Sequence, residues 1–273
     1  MNEIKVFGNH PMPLDIKTGV DIEVYIDRFN TDPIPADTIR VIILQEVFRS
    51  NVSVDCDLRD FIYNHPDKYT FVLTHIDEIL ISNPKAKLLM ATSSWVYGHE
   101  PEEKNFCIST LVGGKNNPLL EGYALRHKVW NNKEKIITPT DFYLSSHTPW
   151  DKINYSANKV LGDSKVPLFN SQYHIAIENT SINNMFTEKL IDCFQTKTIP
   201  IYYGAPNIGD TFNSSGIIMV NSLDDIINAC NQLTPDTYER MLPIVIDNYE
   251  TSLKYCDYNK QIKEAIISTI SEL

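Results

Sequence analysis

The sequence predicts an α/β protein of two domains, each built on a mainly parallel sheet. Three observations support this. Apolar runs of strand length, rich in β-branched residues, recur along the chain. Polar, Pro-containing connectors separate them, the pattern of strands buried on both faces. The series then stops at a polar, charged stretch and begins again.

In the first series, "IKVFG", "IRVIILQ", "YTFVLTH" and "AKLLMATS" read as strands, with "NTDPIPADT" and "ISNPKAK" as connectors. The acids of "DCD" (Asp55 to Asp57) precede "LRDFIYNH" and read as the first turn of a helix rather than as metal ligands. "GHEPEEKN", Gly98 to Asn105, reads as the linker. After it, "FCISTLVGG" reads as a strand ending in glycines, "GYALRHKVWN" as a helix and "KIITPTDFYLSS" as a strand or loop. "YHIAIEN", "TIPIYYG" and "GIIMV" read as strands, and "TEKLIDCFQ" and "SLDDIINACNQL" as helices. The tail from about Pro235 is mostly helical, with Ile262, Ala265, Ile266 and Ile270 on one apolar stripe. The expected division is residues 1–104, residues 105–250, and a C-terminal helix over 251–273 that packs back on the first domain.

Composition narrows the function. The 273 residues carry a net charge of -11, which argues against a general nucleic-acid binder. Five scattered cysteines (Cys56, Cys107, Cys193, Cys230, Cys256) form no CxxC pair, so a structural zinc site is not expected and reduced thiols are. His75, His99, His127 and His147 show no ligand spacing. No secretory leader and no membrane-length apolar run is read, which predicts a cytoplasmic protein. The sequons at Asn51, Asn179 and Asn213 are taken as chance.

The junction after "YHIAI" carries the strongest functional signal. It delivers Glu178 and Asn179 to the carboxyl end of a strand, where open α/β sheets bind ligands. Thr187 is a natural N-cap for "EKLIDCF", and Leu190 and Phe194 share that helix's apolar face. A capped first turn with Lys189 beside it is equipped to hold a phosphate or diphosphate.

Residues 173–213, "YHIAIENTSINNMFTEKLIDCFQTKTIPIYYGAPNIGDTFN", resemble the donor-binding core of the fucosyltransferases of glycosyltransferase family ten. The family pattern is an aromatic-rich strand, Glu-Asn, a short loop, Thr-Glu-Lys and a helix, then an Ile-Pro-Ile-like strand, Tyr-Tyr-Gly and a Pro. The resemblance implies a GT-B-like α/β fold, two Rossmann-like domains facing a cleft. Asn179, Glu188 and Lys189 would occupy donor-contacting positions, with Lys189 on the diphosphate and Glu188 accepting from hydroxyls. Glu178, Thr187 and Tyr203 would touch sugar or nucleotide. Met185 stands where the family often has Tyr.

For the base, the resemblance points to Glu78 in "LTHIDEIL", with Glu46 in "ILQEVF" as its rival. For further donor contacts, Gly113 and Gly114 permit close backbone approach, and Arg126 suits bidentate phosphate contact. Lys115 and Lys159 are lesser candidates. The implied activity is inverting, metal-independent transfer of fucose from GDP-fucose to an oligosaccharide hydroxyl, with GDP as product and no cofactor. The alternatives are another sugar nucleotide on the same fold, or a non-catalytic nucleotide- or carbohydrate-binding protein.

Overall fold

A computed structural model describes residues 3–8, 14–17, 19–45, 52–99, 101, 103–151, 153 and 155–273, with residues 52–57 as backbone alone. It divides into two units: residues 1–91 with 257–273, and residues 92–256. Glu46 lies outside the described residues.

The first unit holds β1 (Ile4–Phe7), β2 (Asp21–Ile26), β3 (Thr38–Leu44), α1 (Val52–Asn64), β4 (Phe71–Thr74), α2 (Asp77–Ser82) and β5 (Ala86–Leu88). Its five strands are all parallel and lie in chain order. Alternation splits each strand between two faces. Ile42, Leu44 and Val72 pack with Leu58, Phe61 and Ile62 of α1. Val41, Ile43, Phe71 and Leu73 pack instead with Ile262 and Ile266 of the C-terminal helix, Tyr258–Ile270. A sheet that advances in one direction puts its right-handed crossovers on one face. The returning helix covers the other.

The second strand eludes a reading by apolar pattern because Glu23 interrupts it. Arg40 lies directly opposite in the register and donates from Nε to Glu23 Oε2 at 2.8 Å. Arg40 is fully buried and also donates to the Asp32 carbonyl at 2.7 Å, pinning the loop before β3. A buried charge with a partner and hydrogen bonds is tolerated, but the pairing is not local in sequence.

The second unit holds β6 (Asn105–Val112), α3 (Glu121–Asn131), β7 (Thr140–Ser145), β8 (Lys159–Leu161), β9 (Ser171–Ile177), α4 (Glu188–Gln195), β10 (Ile199–Tyr203), β11 (Ile218–Met219), α5 (Leu223–Asn231) and α6 (Pro235–Ser252). Its six parallel strands run in the order β11-β10-β9-β6-β7-β8. The chain therefore starts in the middle at β6, winds outward to β8, and returns beside β6 to wind the other way. That reversal between β6 and β9 is a topological switch point.

The division falls at 91/92 rather than at the expected 104/105. The stretch read as a linker belongs to the second unit: the Lys104 ammonium is buried there against the Phe169 carbonyl and Thr198 Oγ1. Ser94 Oγ and the Trp95 amide each donate to Asp192 of α4 at 2.8 Å. Among the described residues no helix is long and apolar enough to cross a membrane.

Candidate nucleotide-sugar site

At the switch point, β6 is followed directly by Gly113-Gly114 and β9 by Glu178-Asn179. The helices that follow, α3 and α4, present their N-terminal turns at the same sheet edge. Four residues singled out in the sequence meet there: Asn179, Glu188, Lys189 and Arg126.

Arg126 rises from α3 and donates from Nε to the Ile177 carbonyl at 3.0 Å, its Nη2 bonding the same oxygen. Nη2 also donates to Asn179 Oδ1 at 2.9 Å. Burial lowers the guanidinium pKa, opposed by the Glu178 charge. α3 comes this close because Gly122 packs on the strand end. A Cβ there would lie 1.8 Å from the Glu178 carbonyl oxygen. The Gly122 amide donates to the Asn179 carbonyl at 3.0 Å.

Thr187 caps α4 with its side chain, as its residue type predicts. Its hydroxyl also accepts from the Lys189 ammonium at 2.8 Å. Lys189 Nζ lies 3.4 Å from Glu178 Oε2 and 3.2 Å from Glu188 Oε1. Burial alone would lower the Lys189 pKa, but the two carboxylates raise it above the ordinary value. Burial likewise would raise Glu188, yet the ammoniums of Lys189 and Lys165 hold it down at about 2. Both stay charged.

Glu178 corrects one expectation. It is fully buried, and both oxygens are committed: Oε1 accepts the Thr187 amide at 2.7 Å and Oε2 its hydroxyl at 2.8 Å. Rather than touching sugar or nucleotide, it is the buried anchor that closes the 179–187 loop. Met185 is also buried, so that loop position turns inward.

The glycines need a different explanation from the one the sequence suggested. A Cβ on Gly113 would sit 2.2 Å from Thr148 Oγ1, and one on Gly114 2.1 Å from the Pro149 carbonyl oxygen. The close approach they permit is that of the protein's own segment 148–150, fastened by the Gly114 amide to the Thr148 carbonyl at 2.7 Å. His127 supports the same turn: Nε2 lies 2.9 Å from the Gly113 carbonyl oxygen and the ring stacks on Trp150 at 3.9 Å.

Tyr203 ends β10 at the same sheet edge, its hydroxyl donating to Glu121 Oε1 at 3.1 Å. Glu121 was not anticipated. At the first turn of α3 it also accepts from Thr180 Oγ1 at 2.8 Å and the Ser181 amide at 2.9 Å, locking the loop from a second side. Lys115 is exposed, and Lys159 is spent on Asp141 at the sheet edge, so neither joins the cluster. The other cation that does is Lys165, whose Nζ lies 3.3 Å from Glu188 Oε1.

In the first unit, Glu78 sits in α2, just past the end of β4, half exposed and paired with Arg59. His75, buried between strand and helix, has its pKa lowered to about 4 by that burial. Asp55, Cys56 and Asp57 fall inside α1, as the helical reading required. Among the described residues no group of three or more His, Cys, Asp or Glu is placed to hold a metal ion.

An alpha-(1,3)-fucosyltransferase of Helicobacter pylori is 34% identical over 67 residues, 24% of this chain and 14% of that protein's length. Two crystal structures of an alpha1,3-fucosyltransferase, the second with GDP, superpose at TM-scores of 0.54 and 0.52. They are 14% and 15% identical, covering 93% and 92% of this chain and 78% of the other in both cases. The fold is of the GT-B type. It is shared more widely: a UDP-forming trehalose-phosphate synthase from Burkholderia xenovorans, 6% identical, superposes at 0.53 over 92% of this chain and 74% of its own. No family model matches the chain.

Proposed function

We propose that the protein is a glycosyltransferase that moves fucose from GDP-fucose to a hydroxyl of an oligosaccharide acceptor, releasing GDP. The observation that carries this is the meeting of Arg126, Asn179, Glu188 and Lys189 at the switch point of the second sheet. The 34% identity to a fucosyltransferase over 67 residues supports the same reading.

The donor diphosphate is taken to bind at the first turn of α4, where the helix dipole and Lys189 favour negative charge. Arg126 adds a second, planar donor set. As the glycosidic bond breaks, charge grows on the departing diphosphate. Cations already held by Glu178 and Glu188 need no reorganisation to meet it. Their presence supports transfer that does not depend on a divalent ion.

Inversion needs one displacement, with a base on the acceptor hydroxyl. Glu78 is the proposed base; its pairing with Arg59 keeps a carboxylate oriented at the end of β4. The direct test is a thermal-shift panel of GDP, UDP, CMP and ADP, followed by assay of GDP-fucose hydrolysis and transfer. Stabilisation by GDP above the others is expected, and stabilisation by UDP alone would overturn the donor assignment.

A further inference from the structure

We propose that Lys165 is a second ammonium of the diphosphate site and that Trp95 is the residue that positions it. This rests on the reading of the switch-point crevice as a sugar-nucleotide site.

Lys165 lies in "GDSKVP", a loop that leads through a short 3-10 turn into β9. Nothing in that local pattern marks it as a ligand. In three dimensions its ammonium lies 3.3 Å from Glu188 Oε1, the same oxygen that is 3.2 Å from Lys189 Nζ. One carboxylate oxygen thus gathers two ammoniums. Their side chains are 15% and 25% exposed, shielded yet reachable.

The far side of Lys165 is held as well. Its Nζ stands 3.7 Å over the centre of the Trp95 ring. Trp95 is itself held by a hydrogen bond from its backbone amide to Asp192, although the residue is 62% exposed. Lysine is a flexible four-carbon stem with a large rotamer entropy to lose. An indole face on one side and a carboxylate on the other confine the ammonium before any ligand arrives.

Donor capacity leaves room for an anion. Arg126, Lys165 and Lys189 bring three cationic side chains together, with Glu178 and Glu188 beside them and the Asp192 carboxylate acting on Lys165 from farther off. An ammonium has three N–H donors, and Glu188 takes one from Lys165. A diphosphate oxygen is the chemistry that the remainder suits, and the second phosphate is the part of the nucleotide that should feel it.

The test is calorimetric titration of GDP and GMP into the wild type, Lys165→Met, Lys165→Arg and Trp95→Ala. Lys165→Met should lose about tenfold or more in GDP affinity, the scale of a charge-assisted hydrogen bond, and roughly threefold or less in GMP affinity. Lys165→Arg should keep most GDP affinity, and Trp95→Ala should fall between. Equal losses for both nucleotides, or none, would overturn the proposal, since a merely structural role cannot separate them. Lys165→Gln replaces the Met variant should that one fail to melt cooperatively. If the wild type prefers UDP or ADP, the same comparison is read on that diphosphate and its monophosphate. If it binds no nucleoside diphosphate, the site reading falls and takes this inference with it; wild-type GDP binding with unchanged Lys165→Met removes this inference alone.

Discussion

Thr187 donates twice to Glu178, amide to Oε1 at 2.7 Å and hydroxyl to Oε2 at 2.8 Å, so a fully buried carboxylate fixes the start of α4. The eight residues of chain between the two are folded back on themselves, and the Lys189 ammonium completes the arrangement 3.4 Å from Oε2. The candidate site is therefore held from beneath. Replacing Glu178 by Gln keeps the shape but leaves Lys189 short of a counter-charge. Removing one member of a buried pair costs about 3 kcal/mol. Chemical denaturation should show a loss of that order, together with weaker GDP binding; a change under about 0.5 kcal/mol, within the range of an ordinary surface substitution, would contradict the anchoring role.

Gly122→Ala tests the contact between α3 and the end of β9. The added methyl would press on the Glu178 carbonyl oxygen, backbone that cannot rotate away. Helix propensity alone would favour Ala by about 1 kcal/mol, so the two effects oppose each other. The clash should win, with a net loss of about 1–3 kcal/mol. A raised melting temperature would show that α3 can move.

Asp192 makes stability depend on pH. Burial raises its pKa to about 6, and Oδ2 finds no hydrogen-bond partner among the described residues. A folded-state pKa above the unfolded value favours folding below the unfolded pKa, near 3.8, and that gain is lost as pH rises through 6. Asp192→Asn removes the ionisation while keeping an oxygen for Ser94 and Trp95. It should be the more stable protein at pH 8 by about 1 kcal/mol, with that advantage shrinking as pH falls through 6 toward 4. Parallel stability curves for the two proteins from pH 5 to 8 would contradict this.

Glu78→Gln addresses the base. Transfer should fall by about 10²–10⁴-fold, the usual contribution of a positioned base, while GDP affinity stays within about twofold of the wild type. Loss of GDP affinity would remove Glu78 from that role.

Ile262→Ala opens a hole beneath the first sheet. Ile262 is fully buried among Ile22, Val24 and Leu73 on the face opposite α1. Such truncations cost about 2–5 kcal/mol. The loss should appear as an earlier unfolding transition of the first unit with GDP binding by the second retained; a single unshifted transition would mean the helix is dispensable.

What could be read from the sequence follows the reach of each interaction. The β9–α4 junction was legible because its determinants are neighbours: an apolar run, a Thr cap and a Lys two residues on. Arg126 was legible from the phosphate chemistry of its side chain and from the family resemblance. Glu121 and Lys165 were not, since each meets its partners far along the chain, Glu121 the 180–181 loop 59 residues on and Lys165 the Glu188 carboxylate 23 residues on. Gly113 and Gly114 were recognised as sites of close approach, but what approaches them is Thr148 and Pro149, a packing fact with no local signature. β2 stayed hidden because Glu23 within it is matched by Arg40 on the next strand rather than by a neighbour in sequence.

The return of the C-terminal helix to the first sheet has a consequence for biosynthesis. Val24, Val41, Ile43 and Leu73 leave the ribosome early, but Ile262 and Ile266, which shield them, are translated only after the entire second unit. For that interval a broad greasy surface lies naked on the nascent polypeptide, a sticky target for chaperones and for neighbouring chains alike. The half made first is thus the half finished last.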